Sequence, residues 1–568
     1  MKLPVLGRHL PTWKNALLAV LAAGLLILAF PDFEWWWTAW FALVPLMWAV
    51  ERQKHCITAC FLLGWLFGTV FFFGTCWWLA YAPIHYASFP PILAYSLILI
   101  ACLGAGVFPG IFAAILAVLL KRFGSRAFLA APFVWVACEF ARYWITGNNW
   151  NAIGYSQFQS SALWYASKGG VLAVSFVVVV YNLLAQGLIL LVIDGVRALV
   201  DRANGSREGL QQQSERTQEE SAMFKPLNDG SDDDLTPFLI GGLLAVAVFY
   251  MWLTTTNFSF PGPESKIVAV QPDVPMSGLD QSNLVQLRKR QIDLAESALK
   301  SIEEERKSFS TAVPASQPRP TTVILPESPM NFMYSNDREF QQFIGDFARK
   351  NNVSVLFNSS EPDKGTTKYF NSAVMVGPDG KKVAEYDKIF LLPFGEAVPG
   401  LFDGLIPAFV GTFSYGSNYT MMPVGDGKAG VMICFESHFG QLSREYVRQG
   451  ADVIIEMTND GYLGPTPVLR QHLANAVFRA VETNRPVLRV TNVGISAYID
   501  AKGRILDPTM PYQEDTRVWS VSRSDGSRTF YVEYGDWFAW LCSIVTVFLI
   551  VLSGRKRKAE TRAVASVT

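Results

Sequence analysis

Charge is scarce in this sequence, and histidine and cysteine are scarcer. Only 17% of the 568 residues are Asp, Glu, Lys or Arg, against about a quarter in an average soluble domain. Lys+Arg and Asp+Glu stand at 48 each, so no cationic surplus points to nucleic acid as a partner. The five histidines (His9, His55, His85, His438, His472) fall at no ligand spacing, and no CxxC pair lies between 257 and 535, so neither a metal nor another cofactor is expected. Six of the seven cysteines, Cys56, Cys60, Cys76, Cys102, Cys138 and Cys542, lie in or beside apolar runs. Cys434 alone lies elsewhere, which excludes a disulfide there.

Apolar residues are what the chain has in excess: 51% hydrophobic with a mean hydropathy of +0.23. A bilayer core takes about 20 apolar residues of helix. Runs near that length occur at 15–30, 35–50, 57–80, 91–120, 128–145, 170–192, 239–253 and 538–552. Eight transmembrane helices are therefore expected, the second and fifth being the weakest. Short loops carrying Lys and Arg alternate with loops nearly free of them. Arg52 and Lys54 follow the second run, Lys121, Arg122 and Arg126 the fourth, and RKRK (555–558) the eighth. By the positive-inside rule both termini face the cytoplasm and the block after the seventh run faces outward. No A-x-A-like site precedes PDFEWWW, so the first run reads as a retained anchor, not a cleaved signal.

The expected organisation is then transmembrane helices one to six over 1–198, a polar, disordered cytoplasmic connector over 199–236, and helix seven over 237–256. A catalytic domain follows over 257–535, helix eight over 536–553 and a cytoplasmic tail over 554–568. Within 257–535 short apolar strands alternate with helical stretches: KIVAVQP, TTVILPE, VSVLFNSS, AGVMICFES and ADVIIEMTND, with helices near 284–307, 339–351, 440–449 and 468–483. Such alternation predicts a layered α/β sandwich. NSAVMVGPDGKKVAEYD and GISAYIDAKGRIL read as hairpins with Gly in the turn.

Glu327, Lys388 and Cys434 each follow a predicted strand, and in α/β sheets ligands gather beyond strand ends. A carboxylate can take a thiol's proton as general base. An ammonium lowers the thiol pKa and faces the oxyanion that follows attack. The trio suits acyl transfer through a thioester. Taken singly, Glu327 and Lys388 read equally as surface charges, and Cys434 as a buried apolar residue closing a strand.

ILPES (324–328), YDKIFLLPFGE (386–396) and GVMICFES (430–437), in that order, resemble the Glu, Lys and Cys motifs of the nitrilase superfamily. With TNDGYLG (458–464), GYSQ (154–157) and the flanking apolar runs, the whole chain resembles the apolipoprotein N-acyltransferase family. The resemblance implies an αββα catalytic domain on the periplasmic side of the inner membrane. It implies Cys434 as nucleophile, Glu327 as base and Lys388 as oxyanion stabiliser. Glu396, Glu436, Phe435, Asn459 and Tyr462 would support the site or bind substrate. The implied partners are a phospholipid acyl donor (the sn-1 chain of phosphatidylethanolamine), a diacylglyceryl apolipoprotein acceptor and the bilayer, with the protein acting as a monomer. Phe435, Tyr462 and Leu463 replace residues usual in the family. The apolar stretches 389–394 and 401–416, Phe409 included, are expected to dip toward acyl chains. A membrane-tethered amidohydrolase and a transporter or receptor with a ligand-binding outer domain are the rival readings.

Overall fold

The computed structural model describes residues 9–208, 265–309, 320–393, 395–397 and 413–565. The expected seventh membrane helix (239–253), Phe409 and most of 401–416 lie outside these residues.

Among the described residues four helical stretches are long and apolar enough to cross a membrane: Ile57–Tyr86, Pro91–Thr146, Ser161–Arg197 and Trp537–Gly554. Pro91–Thr146 is two helices, Pro91–Phe123 and Ala131–Thr146, joined by a tight turn over Gly124–Ala130. Trp13–Leu28 is apolar but shorter, about 24 Å at 1.5 Å per residue. The 35–50 run does not form one helix. It breaks into a 3-10 turn, Trp36–Trp40, and a nine-residue helix, Val44–Arg52, because Pro45 is tolerated only in a helix's first turn. The helix Ala166–Glu208 continues into the stretch expected to be a disordered connector.

Ile57–Cys76 and Pro91–Phe123 pack closely through small residues. A Cβ on Gly64 would lie 2.2 Å from the Pro109 carbonyl oxygen, and one on Gly68 2.9 Å from the Gly106 Cα. Without a hydrophobic drive between helices in lipid, such close backbone approach is what dispersion requires.

The second half of the chain forms two six-stranded sheets. The first contains β1 (Ser265–Gln271), β2 (Thr321–Ile324), β3 (Ser354–Pro362), β4 (Tyr369–Val376), β5 (Lys382–Asp387) and, at its far edge, β12 (Asp515–Val521), in the order β12-β1-β2-β3-β4-β5. The second contains β6 (Met421–Val424), β7 (Gly427–Ile433), β8 (Val453–Thr458), β9 (Val487–Thr491), β10 (Ala497–Ile499) and β11 (Ile505–Leu506), in the order β11-β10-β9-β8-β7-β6. Side chains in the first sheet divide with period two. Val268, Val270, Val323, Val355 and Phe357 pack with Phe340, Ile344 and Phe347 of the helix Arg338–Asn351. Ile267, Ala269, Ile324, Leu356 and Met375 join the core that contains the second sheet. The α/β sandwich expected from the sequence is thus present, as are the 4–5 and 10–11 hairpins. β6 and β12 were not foreseen.

Topology places the site. β1, β2 and β3 are parallel; the antiparallel steps to β4 and on to β5 return the chain to the direction of β2. The residues following β2 and β5 therefore emerge at one edge of the first sheet. β7, β8 and β9 run parallel in the second sheet, with β8 and β9 buried throughout.

The helix Val468–Thr483 is buried on every side, Arg470 excepted, because it lies between the second sheet and the Ala166–Glu208 helix. Its polar residues find partners across that joint. Gln471 donates to the carbonyls of Pro31 and Thr75, Glu482 accepts from the Val171 N–H, and Arg470 pairs with Glu34.

Gly64→Ala is expected to cost about 1–3 kcal/mol by overpacking. Thermal unfolding in detergent should show a lowered midpoint, whereas Gly104→Ala, with nothing within 4 Å of the added Cβ, should leave it unchanged. Equal midpoints would contradict the packing described.

Candidate active site

The chain past β7 turns sharply. Ile433 is the last residue of the strand, and Cys434 adopts φ +52° as it opens the 3-10 turn Cys434–His438. A left-handed backbone costs an ordinary residue about 1–2 kcal/mol, so the neighbourhood must hold it. Glu436 does so from one side. Its carboxylate accepts from the N–H groups of Ile433 (2.8 Å), Ile389 (2.8 Å) and Phe390 (3.0 Å) and from the Tyr386 hydroxyl (2.7 Å). One buried side chain thereby ties the Cys434 turn to the segment that follows Lys388.

Lys388 directly follows β5 and is 1% exposed. Its ammonium meets both oxygens of Glu396, at 2.9 and 2.8 Å, and lies 4.0 Å from Glu327. Glu327, just beyond β2, accepts from the Asn459 N–H (3.1 Å) and from Asn371 Nδ2 (3.0 Å). The same Asn371 nitrogen donates to Glu396 at 2.6 Å, and Asn358 Nδ2 donates to Asn371 Oδ1 at 2.7 Å. Asn371 thus bridges the two carboxylates that flank the lysine. The Cys434 thiol is within hydrogen-bonding reach of Glu327. Glu327, Lys388 and Cys434 come together as their order in the sequence suggested.

Their electrostatics are less simple than the sequence implied. Burial works against the Lys388 ammonium, but Glu396 and Glu327 outweigh it and hold its pKa above the ordinary lysine value. Burial raises Glu327, opposed by Lys388 and reinforced by Glu396. Burial and then the Glu327 charge push the Cys434 thiol well above the usual cysteine value, and Lys388 does not reverse this. The ammonium does act to lower the thiol pKa, as expected, but burial and Glu327 outweigh it. Burial and Glu327 thus leave the resting group a thiol beside a carboxylate.

The supporting residues divide. Asn459 orients Glu327 through its backbone and, through its own carbonyl oxygen, accepts from Asn492 (2.9 Å). Phe435 is buried against Trp150, His438 and Phe439, with ring centroids 6.1, 4.9 and 5.3 Å away. Tyr462 stays 48% exposed, yet its phenol is pushed up to about 12 by the surrounding protein and by Glu327, which places it at the mouth of the site. Tyr86, from the N-terminal half, donates to the Gly461 carbonyl (3.2 Å) and rests its ring 6.1 Å from Tyr462. Of the apolar stretch after Lys388, Phe390 stacks on Phe439 at 4.1 Å and Leu391 is buried, so both pack inward. His438 is no base. Its Nδ1 faces the Phe435 carbonyl (2.9 Å), its ring stacks on Trp150 (4.3 Å), and burial holds its pKa well below the ordinary value.

A cysteine, glutamate and lysine gathered at the strand ends of a two-sheet α/β sandwich define a nitrilase-type domain. A family model described as carbon-nitrogen hydrolase matches residues 306–529, and one described as the apolipoprotein N-acyltransferase N-terminal domain matches 22–184. An apolipoprotein N-acyltransferase of Geobacter metallireducens is 27% identical over 556 residues, covering 96% of both chains. That of Thermotoga maritima is 30% identical over 328 residues, 55% of this chain and 57% of its own. Among solved structures, an amidase from Nesterenkonia sp. AN1 aligns at 16% identity and a TM-score of 0.35, over 49% of this chain and 96% of its own. The chain is thus similar to apolipoprotein N-acyltransferases over nearly its whole length, with a family model matched in each half.

Burial pushes Glu436 up to about 7, against Lys388 and the donors that pull it down, whereas its ordinary value is 4.5. A carboxyl that holds its proton more tightly when folded stabilises the fold fully below pH 4.5, and that contribution is lost as pH rises toward 7. The ceiling is about 3 kcal/mol at 1.36 kcal/mol per unit. Denaturation midpoints of Glu436→Gln should therefore fall less between pH 4.5 and 7.5 than those of the parent. Parallel slopes would remove Glu436 as their source.

Proposed function

We propose that this membrane protein transfers an acyl chain from a phospholipid, through a thioester on Cys434, to the amino group of a diacylglyceryl-cysteine at an apolipoprotein N-terminus. The observation that carries the reading is the convergence of Cys434, Glu327 and Lys388 in a domain packed against apolar helices. The donor is taken to be the sn-1 chain of phosphatidylethanolamine and the protein to act as a monomer.

In the first half-reaction Glu327 takes the thiol proton while the sulfur attacks the ester carbonyl. Lys388 uses one N–H toward each Glu396 oxygen, which leaves a donor for the developing oxyanion. Collapse breaks the acyl C–O bond, and Glu327 returns the proton to the departing lysophospholipid oxygen. In the second half the amine attacks the thioester and gives a proton to Glu327. The C–S bond breaks, the proton passes to sulfur, and an amide remains. Glu396 and Asn371 hold Lys388 and Glu327 in register. Glu436, Phe435 and Asn459 set the nucleophile turn and the base, and Tyr462 guards the entrance.

The distribution of Lys and Arg supports eight spans in the inner membrane, the second of them broken before Val44, with the catalytic domain periplasmic and both termini cytoplasmic. Two lipid-anchored substrates give a reason for a thiol enzyme to be embedded in this way, which a water-soluble amide does not.

Purified protein incubated with isotopically labelled phosphatidylethanolamine should gain one acyl mass on Cys434, and Cys434→Ala and Glu327→Gln should not. Adding a diacylated lipopeptide should then yield its triacyl form. An acyl adduct that passes only to water would favour the hydrolase instead, and no adduct at all would overturn the reading.

Asn371→Ala removes the bridge between Glu327 and Glu396. The rate of adduct formation is expected to drop about 100-fold, as for other small displacements of catalytic groups, with thermal stability little changed. A rate within twofold of the parent would deny Asn371 this part.

A further inference from the structure

Behind the nucleophile lies a buried set of charges that the acyl-transfer scheme does not use. His472, on the helix Val468–Thr483, directs Nδ1 at Asp460 Oδ1 (2.8 Å) and Nε2 at the carbonyl oxygen of Cys434 (3.0 Å), with Glu456 Oε1 3.3 Å from Nε2. Arg489, wholly buried on β9, meets Glu456 and Asp460 at 2.6 Å each. Thr458 donates to Asp460 at 3.1 Å, and His438 stacks on His472 at 5.2 Å. Arg479 lies further along the same helix, paired with Glu482 at 2.8 Å.

Both ring nitrogens of His472 face oxygen acceptors. A neutral imidazole has one donor and one lone pair, so either tautomer would aim a lone pair at a carboxylate or at the Cys434 carbonyl. Only the imidazolium satisfies every contact. It also balances the cluster, two cations (His472, Arg489) against two anions (Asp460, Glu456), which burial requires. His438 does not compete for the charge: burial, and then His472 beside it, hold its ring neutral.

The target of this imidazolium is informative. Cys434 is the residue with φ +52°, and its carbonyl is the first beyond the β7–β8 ladder, whose last pair is Ile433 and Met457. Glu436 anchors the N–H of Ile433 on one side of the turn, and His472 supplies the donor to the Cys434 carbonyl on the other. We propose that His472 is a positioning residue for the thiol, a doubly donating imidazolium that holds the left-handed turn from which Cys434 reaches Glu327. The inference rests on Cys434 being the nucleophile.

Two readouts on the full-length protein in detergent test it: alkylation of Cys434 by iodoacetamide, followed by peptide mass spectrometry, and acyl adduct formation from mixed micelles containing labelled phosphatidylethanolamine, each from pH 6 to 10. His472→Ala should slow both about 10-fold or more, as expected for a displaced nucleophile, with little change in the donor concentration giving half-maximal rate. His472→Gln keeps one donor and should recover part of the loss. Unchanged or faster alkylation in His472→Ala would overturn the proposal. If that variant does not fold, alkylation of His472→Gln at the parent's rate would overturn it equally. Absence of any acyl adduct in the parent would count against the acyl-transfer reading alone, because alkylation reports on the turn without lipid.

Discussion

Lys388 has been taken almost completely out of water, and an ammonium in that position is tolerable only because carboxylates meet it. Glu396 grips it with both oxygens and Glu327 stands 4.0 Å away. Removing Glu396 would leave the ammonium with only Glu327, 4.0 Å away, and a buried charge without a close partner costs far more than a pair's net value. Burial, and then the charge of Glu327, keep the thiol beside them protonated at rest against the pull of the lysine. Such a site depends on the placement of its groups more than on a preformed thiolate.

Aim is supplied by elements that have little freedom to move. Glu327 and Lys388 leave the same edge of the first sheet because two antiparallel steps reverse the chain between β3 and β5. Cys434 leaves β7 of the second sheet, and Glu436 links that turn to the backbone after Lys388. The two sheets are thus stitched together at the reacting atoms by hydrogen bonds whose acceptors are ionisable. Low dielectric strengthens such a network when every member is satisfied and penalises it heavily when one is not.

Much of this was legible in the sequence, for reasons that can be named. ILPE, EYDK and MICFE each set a chemically distinctive residue after an apolar strand, so strand-end chemistry and the convergence of Glu327, Lys388 and Cys434 could be read directly. The two Gly-turn hairpins and the four helices of the domain carried equally plain signals. β6 escaped because Met421–Val424 is four residues long with Pro423 in it, and β12 because Asp515–Val521 pairs with a strand some 250 residues earlier in the chain. Asn371 was invisible in its role: a polar residue inside a strand says nothing of the two carboxylates it joins across the fold. The run at 35–50 misled because hydropathy does not register the helix break at Pro45. His472 gave a signal only as an isolated histidine within an otherwise ordinary helical stretch.

The apolar half of the chain is more than an anchor for the site. Arg142 donates to the Trp150 carbonyl at 2.6 Å, and the Trp150 ring lies flat on His438, which in turn lies on His472. Asn151 donates to Thr75, and Tyr86 to the Gly461 carbonyl beside Tyr462. Trp150 therefore touches the turn that bears the thiol and Tyr86 the one at its mouth, with Arg142 holding Trp150 from behind. The helix Val468–Thr483 has its polar side chains bonded to both halves, so neither half presents a finished surface without the other. A carbon-nitrogen hydrolase fold that served only soluble substrates would have no need of such a joint. Here the membrane helices form part of the wall that holds Cys434, and the geometry of the site is tied to the surface from which both lipid-borne substrates must come.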